Sequence, residues 1–223
     1  MKAMLRTIVL ITATCLAGVG AQASDALDWE FEVSLDDRKI GYHTFSVAEQ
    51  DGKRILETEA AFDVKLLFIT AFTYRHRNVE VWEDGCLASI DARTDSNGKL
   101  FEVKGTRRAE RLAIMGTSGD MELGDCVRTF AYWNPELLEA ERLLNSQTGE
   151  YETVTIREDG VDTVDVDGTP VEALRYKLTT ERGDIRLWYS RDGLWLALEA
   201  PAKGGRTIRY RALQVPAAIA GNA

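Results

Sequence analysis

The fold class of this 223-residue chain is decided by residues 27–35, whose sequence is LDWEFEVSL. Every second residue in this stretch is large and apolar, and the residues between them are acidic or polar. Because successive side chains of a β-strand point to opposite faces, this period of two predicts a strand with one buried face. The next four residues, Asp-Asp-Arg-Lys at 36–39, are typical of a hairpin turn, and residues 40–47 predict the returning strand.

Turn-forming groups recur along the rest of the chain. They lie at residues 50–52, 84–85, 95–98, 118–120, 159–160, 167–168, 182–184, 191–193 and 203–205. Turns this close together leave room only for strands joined by short loops, which favours antiparallel pairing. We count roughly a dozen candidate strands, so the sequence predicts an all-β, mainly antiparallel fold.

One segment interrupts the pattern of strands, and it predicts one short amphipathic helix over residues 135–145. Asn134 is a favourable N-cap, and Pro135 is favourable at the first helical position. The apolar face of such a helix would consist of Leu137, Ala140 and Leu144.

The amino-terminal residues 1–23 have the pattern of a cleavable signal peptide. Lys2 and Arg6 form a short basic region, an uncharged apolar stretch follows over 7–19, and Ala-Gln-Ala at 21–23 fits signal peptidase. The apolar stretch is shorter than the about 20 residues that a membrane-spanning helix needs. We therefore expect a mature chain over 24–223, folded as a single β-rich domain in the periplasm, with secretion as the alternative.

The charge of the chain limits its partners. The full sequence has a net charge of −9, and removal of Lys2 and Arg6 leaves −9 − 2 = −11. Such an acidic chain will not bind nucleic acid or an anionic membrane through bulk electrostatics. The mature sequence contains no second apolar run of membrane-spanning length, so we expect no transmembrane segment in it.

Two cysteines remain after cleavage, because Cys15 leaves with the signal peptide. Cys86 and Cys126 are 40 positions apart, and an even pair in an oxidising compartment predicts a disulfide. The alternative is two separate buried thiols.

The longest apolar stretch of the mature chain, residues 64–72, is the candidate ligand-binding segment. If it lines a cavity, Leu67, Phe68 and Phe72 would contact an apolar ligand, and Arg75 would meet an anionic headgroup near the mouth. Two alternatives remain open. The stretch could pack in the core, and Arg75 could pair with an acid on a neighbouring strand.

The sequence carries no strong catalytic or metal-binding motif. Its two histidines, His43 and His76, lack partners at metal-ligand spacing, and the acidic segment 162–168 does not fit a calcium-binding loop. No nucleophile elbow and no phosphate-binding glycine loop is present. We expect no metal and no cofactor. Carboxylates are plentiful, so a carboxylate-dependent reaction remains an alternative.

Four segments of the mature chain carry a resemblance to a known family: residues 67–87, 126–135, 144–149 and 188–206. Together they resemble an uncharacterised family of exported bacterial proteins, the domain of unknown function DUF6134, with residues 126–135 as the most specific part. The layout is more loosely similar to the half-open barrel of the periplasmic lipoprotein carriers. The resemblance implies a curved sheet or half-open barrel and transfers no catalytic residue.

These observations support three hypotheses for the function. The first is a non-catalytic periplasmic protein that binds a lipid or another apolar small molecule. The second is a carboxylate-dependent envelope hydrolase, and the third is an envelope interaction protein without a small ligand. A deep apolar cavity would favour the first, converging acids the second, and a filled core the third.

Overall fold

The computed structural model describes residues 26–66, 69–124 and 126–217. The predicted signal peptide, with Cys15, lies outside these ranges. The strands are β1 Leu27–Leu35, β2 Arg38–Gln50, β3 Lys53–Leu66, β4 Ile69–Glu83, β5 Cys86–Ser96, β6 Lys99–Arg108, β7 Arg111–Gly116, β8 Met121–Gly124, β9 Arg142–Leu144, β10 Tyr151–Thr153, β11 Thr155–Val166, β12 Thr169–Thr180, β13 Gly183–Tyr189, β14 Trp195–Ala202 and β15 Arg206–Gln214.

Thirteen strands form one antiparallel sheet, in the order β11-β12-β13-β14-β15-β1-β2-β3-β4-β5-β6-β7-β8. Each pair of neighbouring strands is also consecutive in the sequence, except β15 and β1, whose pairing joins the two halves of the sheet. Among the described residues the edge strands β8 and β11 do not pair with each other, so the sheet is open. The predicted all-β antiparallel fold is confirmed.

The hairpin turns explain why consecutive strands pair. Asp51-Gly52 and Asn97-Gly98 both have positive φ at the two central positions, 52° and 75° in the first and 55° and 84° in the second. This left-handed backbone is the type I′ turn, whose twist matches that of the flanking strands. Glycine adopts it without steric cost, and Asn and Asp tolerate it.

One face of the sheet packs into the main core, and the alternation in the sequence identifies which face; a second, smaller cluster is formed by Ala173, Trp188 and Leu196. Along β1, the buried residues Trp29, Phe31 and Val33 alternate with more exposed neighbours. The core centres on Trp195 of β14, whose ring lies 4.2 Å from Phe31 between ring centroids. We call this buried face the inner face.

The chain between β8 and β10, over residues 126–150, packs against the inner face, and we call it the crossing segment. Its buried apolar side chains belong to the same core as those of the sheet. Trp133, for example, packs edge-on against Trp82 of β4 with ring centroids 5.8 Å apart. The interior of the half-barrel is therefore largely filled by its own chain.

The prediction of an amphipathic helix over 135–145 is wrong. Over residues 135–145 the structure has a 3-10 helix, Pro135–Glu139, capped by Asn134 as expected, and the backbone becomes extended at Ala140. The physical reason is the burial of the adjacent residues Leu143 and Leu144, which pair with β10 as strand β9. Within the described ranges, no helix has the length and apolar character needed to span a bilayer.

The predicted disulfide between Cys86 and Cys126 is confirmed, with their Cα atoms 4.9 Å apart. It ties the start of β5 to the start of the crossing segment. Next to it, the amide of Leu87 donates a hydrogen bond of 2.9 Å to the carbonyl of Val127. The covalent link and this hydrogen bond together fix where the crossing segment enters the interior.

Candidate functional site

A cavity of about 270 Å³ remains between the sheet and the crossing segment. Its floor is formed by the inner faces of β2, β3 and β4, and its walls by the crossing segment, the β12–β13 turn and β14. The floor residues are His43, Phe45, Leu56, Thr58, Tyr74, His76, Asn78 and Glu80. The volume is close to the lower end of the roughly 300–1,000 Å³ typical of small-molecule sites.

Strand β4 supplies most of the polar floor. Tyr74, His76, Asn78 and Glu80 occupy alternate positions, so all four point to the inner face. Strand pairing aligns them with the adjacent floor, because Asn78 lies opposite Thr58 of β3. A row of polar side chains on the buried face of a strand requires hydrogen-bond partners, and the structure provides them for most of these groups.

His43 is held in one neutral form by a directed chain of hydrogen bonds. Thr58 Oγ1 donates to the carbonyl of Thr44 at 2.8 Å, so this hydroxyl must accept from His43 Nε2 at 2.7 Å. Nδ1 of His43 then accepts from the hydroxyl of Tyr210 at 3.0 Å. Withdrawal from water, with a smaller effect of nearby His76, lowers the pKa of His43 well below its usual value. His43 is therefore a neutral, fully hydrogen-bonded part of the floor.

His76 is neutral for the same physical reason. It is 7 % exposed, and its Nδ1 lies 2.8 Å from Thr94 Oγ1 on β5. Burial lowers the pKa of His76 to about 4. Because neither floor histidine carries a charge near neutral pH, the floor offers no positive charge to an anionic ligand.

Glu80 is the most deeply buried carboxyl group of the described chain, at 1 % exposure. It accepts hydrogen bonds from Asn78 Nδ2 at 2.8 Å, Trp82 Nε1 at 2.9 Å and Thr129 Oγ1 at 3.1 Å. Burial raises the pKa of Glu80 to about 7, and the three donors only partly offset that effect. Since Thr129 belongs to the crossing segment, Glu80 also fastens that segment to the sheet.

Asn78 carries the one unsatisfied polar atom of the floor in the described structure. Its Nδ2 is used by Glu80, whereas its Oδ1 is buried and accepts no hydrogen bond from any described group. The residue is 2 % exposed and lines the cavity. A buried acceptor without a donor costs about 1–3 kcal/mol. An N–H or O–H group in the cavity would remove that cost.

The mouth of the cavity is polar, and its charges are paired. Arg182 on the β12–β13 turn forms ion pairs with Glu150 and Glu152. Glu152 also accepts from Asn145 Nδ2 at 2.8 Å. Across the mouth, the hydroxyl of Tyr74 donates to Gln147 Oε1 at 3.1 Å, which connects the sheet to the crossing segment.

The residues predicted from the apolar stretch lie outside this cavity where the structure describes them. Leu67 and Phe68 fall outside the described residues. Phe72 lies on β4 and is 36 % exposed. Arg75 Nη2 is 2.8 Å from Asp63 Oδ1 on β3, so it pairs with an acid on the neighbouring strand. Ligand contact at these four positions stays a prediction.

Comparison of the whole chain with profiles of known families identifies its family. A family profile described as "Domain of unknown function (DUF6134)" matches residues 31–213. The chain belongs to this family. None of the curated proteins matches it.

The fold of this DUF6134 chain is similar to that of a solved structure. The crystal structure of a beta-barrel-like protein of domain of unknown function DUF1849 from Brucella abortus has a TM-score of 0.61 and 9 % sequence identity. The match covers 85 % of this chain and 96 % of that chain. At this identity the likeness establishes a barrel-like fold and leaves the chemistry of the cavity to be argued from its own residues.

The floor of this DUF6134 protein was not identified from sequence, although one signal was present. Along residues 74–82 the positions that face inward are mostly polar, whereas Val79 and Val81 face the other way. Polar residues on the inner face of a strand indicate an interior built for something other than packing. In the described ranges, no three His, Cys, Asp or Glu side chains come together to hold a metal ion.

Proposed function

We propose that this protein is an exported, non-catalytic binding protein of the cell envelope, which holds a small uncharged amphipathic molecule in the cavity. The observation that carries the proposal is Asn78, a residue that lines the cavity and whose buried Oδ1 has no described donor. A ligand hydroxyl or amide would supply that donor. Apolar floor residues, Phe45 and Leu56, would receive the apolar part of the same molecule.

The electrostatics favour a neutral ligand. The two floor histidines are uncharged, because burial lowers the pKa of each. Arg182 at the mouth is already paired with Glu150 and Glu152. An anionic ligand would therefore lose its hydration without gaining a free cationic partner, which is a large cost in a buried site.

A series of ligands with one apolar body and four head groups tests the proposal. Isothermal titration calorimetry would compare hexanamide, pentanol, hexanoate and pentylamine, which all carry the same five-carbon alkyl chain. We expect the amide and the alcohol to bind at least about tenfold more tightly than the two ions, because burying an unpaired charge costs more than a hydrogen bond gains. Tighter binding of hexanoate than of hexanamide would contradict the proposal.

Two variants test whether the ligand binds at the floor of the cavity. Asn78→Leu removes the acceptor at similar volume and should weaken hexanamide binding about 3–10-fold, the usual contribution of one hydrogen bond. Thr44→Val serves as the control, because the Thr44 hydroxyl donates to the carbonyl of Glu59 on the neighbouring strand and Thr44 is not among the residues that line the cavity. Native mass spectrometry of protein purified from the cell envelope would show whether a natural small molecule is retained.

The export part of the proposal rests on the sequence of residues 1–23. Amino-terminal sequencing of the protein recovered from the periplasm should begin at Ser24. Recovery of a chain that still begins with Met1 would refute cleavage at this site.

A second candidate function, a carboxylate-dependent hydrolase, is favoured by one observation. Two carboxyl groups, Glu80 and Glu152, line the same cavity, and burial raises the pKa of Glu80 to about 7, in the range useful for a general acid. Against this, hydrogen bonds to Asn78, Trp82 and Thr129 occupy both oxygens of Glu80. Ester and glycoside substrates left intact by the purified protein would remove this candidate.

A further inference from the structure

The paired ends of β3 and β4 extend beyond the rest of the sheet. Register pairing of β2 with β3 ends at Phe62, and pairing of β5 with β4 ends at Tyr74. The pairing of β3 with β4 continues outward through Leu66 and Ile69. We call residues 63–66 and 69–73 the ribbon. Within the described ranges no third strand pairs with this projection, although the Asn97 amide in the β5–β6 turn donates to the Thr73 carbonyl at its base, at 2.8 Å.

The two faces of the ribbon differ in polarity. Phe62 and Tyr74 face each other on the inner face, with stacked rings 5.2 Å apart. One step outward on the same face, Val64 pairs with Phe72. The opposite face carries Asp63, Lys65 and Thr73.

The apolar face is continuous with the cavity. Tyr74 lines the cavity and also stacks on Phe62, so the next apolar pair, Val64 and Phe72, extends the cavity wall outward. Phe72 remains 36 % exposed, although a packed core phenylalanine would be buried. An exposed apolar face beside a binding cavity, with charges only on its reverse side, indicates that something apolar covers it.

We infer that this face holds an alkyl chain of the ligand whose polar head lies at Asn78. The inference rests on the proposed function and adds the substrate class: a neutral head group on an alkyl chain too long for the cavity. A cavity of about 270 Å³ encloses the head and roughly the first eight carbons, at about 30 Å³ for each group. The rest of the chain then runs out past Tyr74 and lies on Val64 and Phe72.

The dependence of binding affinity on the length of the ligand's alkyl chain tests this contact. Phe72 and Asn78 are six residues, or about 20 Å, apart along β4. Calorimetric titration would therefore compare hexanamide with dodecanamide, tridecanamide and tetradecanamide, which share one head group. Each fully buried CH₂ tightens binding about fourfold, and on a half-exposed face we expect about twofold for each added CH₂. In Phe72→Ser this factor should fall to about one, with the affinity for hexanamide unchanged. Val64→Thr, which keeps the branched shape, should lower the factor without loss of folding.

Met115→Ser is the matched control, because Met115 is also exposed, at 59 %, but lies on β7 away from the cavity. It should leave the twofold factor intact. Absence of binding by every amide refutes the proposed function. Binding of hexanamide without a gain from longer chains, or a gain that Phe72→Ser does not reduce, refutes the inference alone. Phe72-dependent cosedimentation with phosphatidylcholine vesicles, or Phe72-dependent dimerisation, without that gain would also overturn it.

Discussion

Replacing Glu80 with Gln should make stability rise by about 1 kcal/mol between pH 6.5 and 8 relative to wild type. The pKa of Glu80 is raised from 4.5 to about 7 in the folded protein. The folded state therefore holds this proton more tightly than the unfolded chain does. Its contribution to stability is complete below pH 4.5 and is lost as the pH rises through about 7.

The magnitude follows from the size of the pKa shift. A rise from 4.5 to about 7 corresponds to a total loss of about 3 kcal/mol in the free energy of unfolding. Of this, about 1 kcal/mol falls between pH 6.5 and 8.

The floor histidines affect stability with the opposite sign. Burial lowers the pKa of His76 from 6.5 to about 4 and that of His43 well below its usual value, so stability is lost as the pH falls through 6.5. At pH 6.5 the unfolded chain still carries about half a proton on each of them, so together they raise stability by about 0.8 kcal/mol between pH 6.5 and 8 and nearly cancel the Glu80 effect in wild type. Glu80→Gln keeps both histidines, so the difference between the two proteins isolates Glu80.

Urea denaturation at pH 6.5, 7, 7.5 and 8 would measure the effect in wild type, Glu80→Gln and the control Glu102→Gln. Glu102 is an exposed carboxyl group on β6, so its variant should keep the nearly flat wild-type profile. In Glu80→Gln one carboxyl oxygen becomes an NH₂ group, so at least one of the donors Asn78, Trp82 and Thr129 loses its acceptor, at a cost of about 1–3 kcal/mol. The stability of this variant should rise by about 1 kcal/mol between pH 6.5 and 8. An equal slope in wild type and Glu80→Gln would refute the assignment.

Two further predictions concern stability. Replacing Cys86 and Cys126 together with Ala should lower the free energy of unfolding by about 3–4 kcal/mol, because the loop between them is long; an unchanged urea midpoint would contradict this. Tyr189→Phe should cost about 1–2 kcal/mol in thermal unfolding, because the buried hydroxyl donates to the Tyr132 carbonyl at 2.7 Å. The control Tyr42→Phe, an exposed hydroxyl with a 3.4 Å contact, should cost less than about 0.5 kcal/mol, and equal losses would refute the assigned bond.

Local rules predicted much of the fold. The alternation over residues 27–35 and the Asp-Gly and Asn-Gly turns depend on neighbours within a few positions, so the sequence was sufficient to predict β1 and the hairpins. The prediction of the helix was wrong because contacts distant in the sequence decided this segment. Its cap and proline are local signals and produced a 3-10 turn, but burial of Leu143 and Leu144 against the sheet decided the chain beyond it.

The candidate site depends on contacts that no local pattern contains. Glu80 of β4 meets Thr129 of the crossing segment, 49 positions later. His43 of β2 meets Tyr210 of β15, 167 positions away. A polar residue on a strand is identifiable from sequence, whereas its partner, and therefore its charge state, is not.

The sequence by itself determined that the chain is built of antiparallel strands, because the alternation of side chains and the turn residues act over a few positions. It also singled out the cysteine pair, through the compartment that the amino terminus predicts. Tertiary structure alone decided how the two halves join, since β1 and β15 lie at opposite ends of the chain. It also decided where the cavity remains, because a cavity is the space left when distant segments pack, and its volume depends on all of them at once.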